Sequence, residues 1–442
     1  MCGSANEIYY MRKLFLTGLL SSITFFVFSQ DIDKIINATE VERIEKILSS
    51  DEMQGRKTFT PAIDKAADFI AKEFKTIGLE TPNNSGTYLQ DFYLTKTKFI
   101  SAKARFDNDT IATKNIVAFT SNPELYINED SNYTKAFIKQ GDNFNEQAFK
   151  YIQSEKSYLV LVDTSFAKQI RNMASYKRPT FNKPRSTIFI LTTLNPNKYK
   201  IEIKHEVSKL KLANVVGILP GKTKRNEFVI FSGHYDHLGI GKPDAKGDSI
   251  YNGANDDASG TTAVMMLAKY FKQMDNNERT IIFVAFTAEE IGGYGSRYFS
   301  EQYDPAKVAA MFNIEMIGTE SKWGRNSAYI TGYEKTDMGK ILEKNLEGSK
   351  FKFYPDPYTP QELFYRSDNA TLARQGVPAH TISTSKMEEP PNDEPNYHKP
   401  SDEIGTLDMK NMSEIIKAIA VSSTSIVAGK DTPSRVDAKE LR

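Results

Sequence analysis

The chain has 442 residues, of which 40% are hydrophobic and 11% aromatic, so it can bury a large core and is expected to form a main domain with a second, smaller unit. Its 57 lysine and arginine residues nearly balance 56 aspartate and glutamate residues, which leaves a net charge of +1. This balance gives no electrostatic support to a general role in binding nucleic acid or other polyanions.

Residues 11–29 have the pattern of a signal peptide. Basic residues precede an apolar run over 14–28, which ends at Ser29 before a polar sequence. The run is too short to span a membrane comfortably, although an uncleaved membrane anchor is the alternative. Cleavage near Ser29 predicts an exported protein, periplasmic or secreted, without stable membrane insertion. The only cysteine, Cys2, lies upstream, so the mature chain would have neither a disulfide nor a thiol nucleophile.

Residues 30–95 are predicted to form the N-terminal part of the main domain. Apolar residues at helical spacing over 39–48 predict a first helix. Thr60 and Pro61 are expected to begin a second helix as its N-cap and first-turn proline, and Gly78 is expected to end it.

The composition changes over residues 96–206, which are rich in Asn, Lys, Tyr and Thr and contain no cluster of His, Asp and Glu. Short alternating stretches such as YLVLVD and STIFILTT predict strands. We interpret this segment as an inserted, mostly β accessory domain. A long decorated loop region of the main domain is the alternative.

Apolar runs alternate with helical patterns over residues 207–430, and residues 431–442 are expected to form a C-terminal tail. The alternation predicts an α/β three-layer sandwich around a central, largely parallel mixed sheet. The expected strands cover 214–219, 227–232, 280–286, 310–317, 328–331 and 379–382. The expected helices cover 260–274, 339–346, 369–375 and 409–428.

Polar pairs follow two of these strands. His234 and Asp236 come just past the strand EFVIFSG, where residues i and i+2 share a face. One side chain can therefore bind a cation while the other orients or charges the site. A surface turn is the alternative explanation for this pair alone. Glu289 and Glu290 follow the apolar strand IIFVAF, where two ionised carboxylates are costly without a metal or solvent. One of the two can bind a metal while the other takes a proton from water.

Three further carboxylates and one histidine extend the set. Asp256 and Asp257 lie in a loop over 253–260 that opens a helix; they repel one another unless a cation compensates them, although the helix dipole is an alternative explanation. Glu315 is expected within the apolar strand MFNIEMIG, where pairing with a buried base is the alternative. His398 lies far along the chain, in NYHKPSD, as a ligand brought in by the fold would.

Three histidines are left out of the predicted ligand set. His237 is expected to point away from His234, and His205 and His380 are expected to be non-ligands.

The motifs GHYDH, GANDDASG, FTAEE, NIEMIG, RSDN and YHKPSD occur in the order found in the co-catalytic zinc exopeptidases, which include secreted bacterial leucine aminopeptidases. Glutamate carboxypeptidase II and the glutaminyl cyclases are more distant relatives. The chain resembles this family over residues 40–95 and 211–428. The insert stands where many members of the family carry a protease-associated domain.

The resemblance implies two zinc ions (Zn2+) per chain, bridged by one carboxylate. The implied metal ligands are the bridging Asp256, His398 and Glu290 at one site, and His234 and Glu315 at the other. By the same resemblance Glu289 is the general base and Asp236 supports His234.

Two positions depart from the family pattern. Glu315 stands where most members have aspartate, which keeps the charge but lengthens the arm by one methylene group. Asn369 replaces the histidine that commonly follows the Ser-Asp pair, so substrate detail transfers less well than the metal site.

Tyr365 and Tyr397 lie near motif residues and are candidates to donate a hydrogen bond to an oxyanion that develops during the reaction.

An aminopeptidase acting on peptide substrates is the predicted function, with Glu289 taking a proton from the metal-bridging water and later protonating the leaving amine. A glutaminyl cyclase with a single zinc and a carboxypeptidase-like relative are the enzymatic alternatives. Against the cyclase, the chain keeps both aspartates of GANDDASG, and its one tryptophan, Trp323, lies outside the motifs. A non-enzymatic binding protein is the third alternative, but the chain retains every ligand type and Glu289.

Overall fold

The computed structural model of the chain describes residues 32–175, 178–388 and 395–441. The predicted signal peptide, residues 11–29, lies outside the described residues. Within the described ranges, no helix is both long enough and apolar enough to cross a membrane.

The chain divides into two compact units. The main unit comprises the chain up to Asp91 and again from Ala213 onward, and the second unit is Phe92–Leu212. The segment 96–206, which differs in composition, lies within the second unit.

Short strands and two helices form the second unit. One sheet has the strand order Ile116–Phe119, Thr187–Leu191, Tyr158–Val162, Thr134–Ile138. The short strands Asp109–Ile111, Glu124–Asn128 and Thr180–Phe181 pair with the long strands Leu89–Phe106 and Tyr199–Leu219. The two helices are Phe144–Gln153 and Ala167–Ser175.

A mixed sheet forms the centre of the main unit. Its strand order is Lys352–Pro355, Ser327–Ile330, Ala379–Ser383, Val308–Ile314, Lys224–His234, Arg279–Phe286, Tyr199–Leu219. Lys224–His234 pairs in parallel with both of its neighbours, and Val308–Ile314 is also parallel to Ala379–Ser383. Antiparallel pairs occur on both sides of this parallel group. The prediction of an α/β fold with a largely parallel, mixed central sheet is confirmed.

The described helices of the main unit include all the predicted ones, but Tyr294–Ser300 was not predicted, and the predicted helix over 409–428 is divided at Ser423. They are Ala38–Leu48, Pro61–Ile77, Ser259–Met274, Tyr294–Ser300, Met338–Asn345, Asn369–Ala373, Met409–Ser422 and Thr424–Val427. Gly78 ends the second helix with a φ of 82°, as predicted. Thr60 stands at the N-cap position and Pro61 in the first turn, as predicted, and the Thr60 hydroxyl donates to the Lys57 carbonyl at 2.7 Å.

The central strand of the sheet is held by stacked aromatic rings. Phe231 is fully buried, and its ring centroid lies 4.9 Å from that of Phe312, 5.4 Å from Phe271 and 5.8 Å from Phe283. These rings come from three adjacent strands and the helix Ser259–Met274. They fix the strands whose far ends carry the polar motifs.

One acidic side chain is buried away from those motifs. Glu45 is fully buried on the helix Ala38–Leu48, where its Oε2 accepts a hydrogen bond from Thr262 Oγ1 at 2.8 Å. Burial raises the pKa of Glu45 to about 8, against an opposing effect of the Thr262 hydrogen bond.

Replacing this carboxyl group should change how stability depends on pH. Because the pKa of Glu45 is higher in the folded state than its ordinary value of 4.5, the folded state binds the proton more tightly, and the wild-type protein loses stability as pH rises towards 8. Glu45→Gln should therefore raise the melting temperature progressively between about pH 5 and pH 8, with little effect at the acid end. Thermal denaturation across this range measures the effect.

Glu42→Gln is the matched control, because Glu42 lies on the same helix with an exposed side chain that pairs with Lys46. A Glu45→Gln curve parallel to that of the wild-type protein at all pH values would contradict the prediction.

Candidate metal centre

The polar motifs meet at one edge of the main sheet. Three parallel strands end there, at His234, Phe286 and Ile314. Because the carboxyl ends of parallel strands lie at the same edge, the residues that follow them are brought together. Glu315 directly follows the third strand, whereas the sequence pattern placed it inside a longer strand over 310–317.

Asp256 lies between two groups of side chains. Its Oδ1 is 3.2 Å from His234 Nε2, and its Oδ2 is 3.2 Å from His398 Nε2. His234, Asp256 and Glu315 each offer a ligand atom within 4.8 Å of the others. The two carboxylate oxygens of Asp256 therefore face separate groups, an arrangement that suits a ligand shared between two cations.

Glu290 and His398 form the second group together with Asp256. His398 Nε2 is 3.3 Å from Glu290 Oε2. The ring of Tyr397 stacks on that of His398, with centroids 3.9 Å apart and an interplanar angle of 21°. This stacking restricts the orientation of the imidazole at a residue whose φ is 55°.

His237 belongs to the second group as well, which the sequence analysis missed. Its Nδ1 is 2.7 Å from Glu290 Oε1 and 3.9 Å from Asp256 Oδ2, the oxygen that does not face His234. The strand ends at His234, so the alternation of side chains along a strand no longer predicts where His237 points. A second histidine within three residues of a predicted ligand was the available signal.

Asp236 holds the ends of two strands together. Its backbone oxygen is 3.0 Å from His234 Nδ1, which leaves Nε2 to face Asp256. Its Oδ1 accepts a hydrogen bond from the backbone N–H of Glu289 at 3.0 Å. Burial raises the pKa of Asp236 to about 7.

Two other carboxylates shape the loop that carries Asp256. Asp257 accepts hydrogen bonds at 3.0 to 3.1 Å from the backbone N–H groups of His234, Gly260 and Met316. Asp402, in the YHKPSD motif, accepts from the N–H groups of Asn255 and Asp256 at 2.9 and 3.0 Å. Asp257 thus binds backbone while its neighbour Asp256 faces the histidines.

A hydrogen-bond network holds Glu315 and accounts for Asn369. Ser367 Oγ donates to Glu315 Oε2 and accepts from Asn313 Nδ2 at 2.7 Å. Asn313 also donates to Thr381 Oγ1, which in turn donates to Asn369 Oδ1 at 2.9 Å. Asn369 is fully buried, so it supports this network. The longer glutamate arm is held in place by the Ser367 hydroxyl.

The donor atoms at the centre fit zinc. His237 Nε2 is buried without a hydrogen-bond partner in the described part of the chain, and two other buried ring nitrogens face carboxylate oxygens: His234 Nε2 is 3.2 Å from Asp256 Oδ1, and His237 Nδ1 is 2.7 Å from Glu290 Oε1. Buried polar atoms in this state are costly unless a further partner takes up their lone pairs. Imidazole nitrogens and carboxylate oxygens are ligands that zinc prefers.

The electrostatics of the centre also favour a cation. Burial, reinforced by neighbouring carboxylates, raises the pKa of Glu289 well above its ordinary value and that of Glu315 to about 7. Burial acts in the same direction on Asp256, but contacts with His234 and His398 hold its pKa well below the ordinary value. A divalent cation among these groups would relieve the repulsion between carboxylates.

A small pocket adjoins Glu315. Its volume is about 50 Å³, and it is lined by side chains that include Glu315, Tyr329, Arg366, Ser383, Met387 and Tyr397. Tyr397 is therefore the one of the two candidate tyrosines that borders it.

The remaining histidines lie outside both groups. His380 is fully buried, with Nδ1 2.8 Å from the Thr331 carbonyl oxygen and Nε2 2.7 Å from Thr336 Oγ1. Burial lowers its pKa to about 4. His205 belongs to the second unit.

Residues 214–423 match the model of Peptidase family M28, and this range includes every predicted ligand from His234 to His398. This match, together with the aminopeptidase relatives, confirms the resemblance to the zinc exopeptidases.

Curated relatives match at low identity. A probable zinc metalloprotease of Pyrenophora teres f. teres is 33% identical over 123 residues, 27% of this chain and 26% of that protein. Aminopeptidase YwaD of Bacillus subtilis is 23% identical over 237 residues, 50% of this chain and 46% of that protein. The chain thus spans less than half the length of these two relatives.

Solved structures share the fold over most of the chain. An aminopeptidase from Aneurinibacillus sp. strain AM-1 has a TM-score of 0.53 at 16% identity, covering 93% of this chain and 98% of that one. A zinc aminopeptidase from Bacillus subtilis has a TM-score of 0.53 at 17% identity, covering 91% and 98%. At these identities the likeness shows the fold alone.

The contact of His237 with Glu290 predicts that His237 supports metal binding. His237→Gln removes the ring nitrogen beside Glu290 Oε1, so zinc should bind about 10- to 100-fold more weakly. Competition with a fluorescent chelator measures the dissociation constant. His380→Gln is the control, because it alters a buried imidazole outside the centre. Equal zinc affinities for the two variants would show that His237 has no role at the centre.

Proposed function

We propose that this protein is a zinc-dependent aminopeptidase that hydrolyses the N-terminal peptide bond of peptide substrates. The observation that supports the proposal most directly is the position of Asp256, whose two oxygens face separate groups of histidine and glutamate side chains. The predicted signal peptide adds that the protein acts after export, in the periplasm or outside the cell.

We infer that the centre holds two zinc ions per chain. His234 and Glu315 would hold one ion, Glu290 and His398 the other, and Asp256 both. His237 is an additional donor beside Glu290. Two separate ligand groups favour this arrangement over a single-zinc glutaminyl cyclase, the alternative reaction on this fold.

Zinc, when bound, polarises the scissile carbonyl and makes the attacking water more acidic. Glu289 is the residue we assign to proton transfer. Its backbone N–H donates to Asp236 Oδ1 at 3.0 Å, which fixes it at the strand end. Its raised pKa suits a carboxylate that must both accept and return a proton near neutral pH.

The proton balance follows from these positions. Glu289 accepts a proton as water oxygen bonds to the carbonyl carbon. The same carboxyl group then donates that proton to the leaving nitrogen as the C–N bond breaks. The products are a free amino acid and the shortened peptide.

The first test separates the base from the ligand in the Glu289–Glu290 pair. Glu289→Gln keeps the volume but cannot accept a proton, so turnover should fall by roughly 100-fold or more while zinc content stays normal. Glu290→Gln removes a charged ligand, so its main defect should be weaker zinc binding, partly rescued by excess zinc. Metal analysis and steady-state kinetics on aminoacyl substrates measure both effects.

Glu301→Gln is the control, because Glu301 is exposed at the end of the following helix. Loss of zinc from Glu289→Gln with retention by Glu290→Gln would reverse the two assignments. Unchanged peptide hydrolysis in both variants would show that the proposed function is wrong.

The pocket beside Glu315 suggests which substrates are preferred. We propose that it receives the side chain of the N-terminal residue, because it borders a predicted metal ligand. A volume of about 50 Å³ holds only a few water-sized groups. Small side chains such as alanine should therefore be preferred to bulky ones such as phenylalanine.

Met387→Ala should enlarge the pocket and raise kcat/KM for bulky residues relative to alanine. A panel of aminoacyl p-nitroanilides with graded side-chain size measures this selectivity. Equal selectivity in the parent and in Met387→Ala, with a preference for large residues, would contradict the assignment of the pocket.

A further inference from the structure

A strained turn lies outside all the metal motifs. Gln54, Gly55 and Arg56 have consecutive φ angles of 47°, 64° and 47°, although non-glycine residues seldom adopt positive φ. A Cβ atom at Gly55 would lie 2.4 Å from the Tyr251 carbonyl oxygen and 2.8 Å from Gly239 Cα, so the backbone approaches more closely than a side chain allows. The surrounding structure must hold this turn in place.

The turn carries a completely buried arginine. The Arg56 guanidinium donates four hydrogen bonds, all to backbone carbonyl oxygens. They are those of Tyr235 at 2.8 Å, Leu48 at 2.6 Å, Asn252 at 2.6 Å and Gly253 at 2.8 Å. The carbonyl oxygen of Arg56 itself accepts from the His237 N–H at 3.3 Å.

Three of these four carbonyls, those of Tyr235, Asn252 and Gly253, lie in or next to the two segments that carry the metal-binding side chains. Tyr235 lies between His234 and Asp236, at the end of the central strand. Gly253 begins the loop that carries Asp256. One guanidinium therefore joins the backbone of the His234 segment to the backbone of the Asp256 loop through hydrogen bonds to carbonyl oxygens.

We propose that Arg56 is a positioning residue that sets the distance between these two backbones and thereby the zinc affinity of the centre. The inference rests on the proposed zinc-binding function. Arginine suits this role because its planar group presents five donors in fixed directions, whereas lysine presents three from a single point. Its charge interacts most strongly with the buried carboxyl group of Glu45, and then with those of Asp402, Asp256 and Asp236.

The chain offers a matched control in Arg279. This residue is 1% exposed and also donates four hydrogen bonds, to the carbonyl oxygens of Ile426 at 2.8 Å and Asp431 at 2.7 Å, to the Thr432 hydroxyl and to the Glu227 carboxylate at 2.7 Å. It lies at the start of the strand whose other end leads to Glu289. Arg279→Lys therefore removes a comparable set of buried hydrogen bonds far along the strand from the centre.

The experiment compares zinc binding by the parent, Arg56→Lys and Arg279→Lys. Both variants should melt at lower temperature than the parent when zinc is removed. Arg56→Lys should also bind zinc about 10- to 100-fold more weakly by chelator competition, and its melting temperature should rise less on adding zinc. Arg279→Lys should match the parent in both zinc measurements.

Equal zinc affinity in all three proteins would overturn the positioning role and leave the proposed function intact. A folded parent that binds no zinc would overturn the proposed function instead. If Arg56→Lys and the volume-conserving Arg56→Met both fail to fold while Arg279→Lys folds, Arg56 serves the stability of the fold, and the inference is equally overturned.

Discussion

The structure of the main unit depends on how it buries several carboxylates at one edge of a sheet. Ionised carboxylates repel one another and lose hydration when buried, so each one needs donors or a cation. Asp257 and Asp402 are satisfied by backbone N–H groups. Asp256, Glu290 and Glu315 instead share the edge with histidine side chains. Asp257 and Asp402 therefore shape the loops, whereas Asp256, Glu290 and Glu315 are available to bind a metal.

This division links the hydrogen bonds of the loops to the chemistry of the centre. Backbone N–H groups hold Asp257 and Asp402, and through them the loop that carries Asp256. Arg56 holds the same backbone through its carbonyl groups. It donates to the carbonyl oxygen of Tyr235 at the end of the strand and to that of Gly253 at the start of the loop. The stacked rings around Phe231 anchor the strands from which these loops extend. Packing, hydrogen bonding and ligand placement therefore depend on one another.

Predictions from local pattern failed where the backbone stops being regular. His237 was missed because alternation along a strand applies only while the strand continues, and the strand ends at His234. Glu315 was placed inside a strand because its neighbours are apolar, but the strand ends one residue earlier.

Local sequence determined the strands, the helices and the type of chemistry, because hydrophobic periodicity and turn residues act over a few positions. It also marked where polar side chains follow apolar runs, which singled out His234 and Glu289, and where two carboxylates are adjacent in a loop, which singled out Asp256. Tertiary structure alone decided which oxygen of Asp256 faces which histidine. It likewise decided that Arg56, about 180 residues before His234, holds the backbone of the centre. Such contacts join distant segments through backbone carbonyl oxygens. Because every residue has a carbonyl oxygen, no residue type in the sequence predicts these contacts.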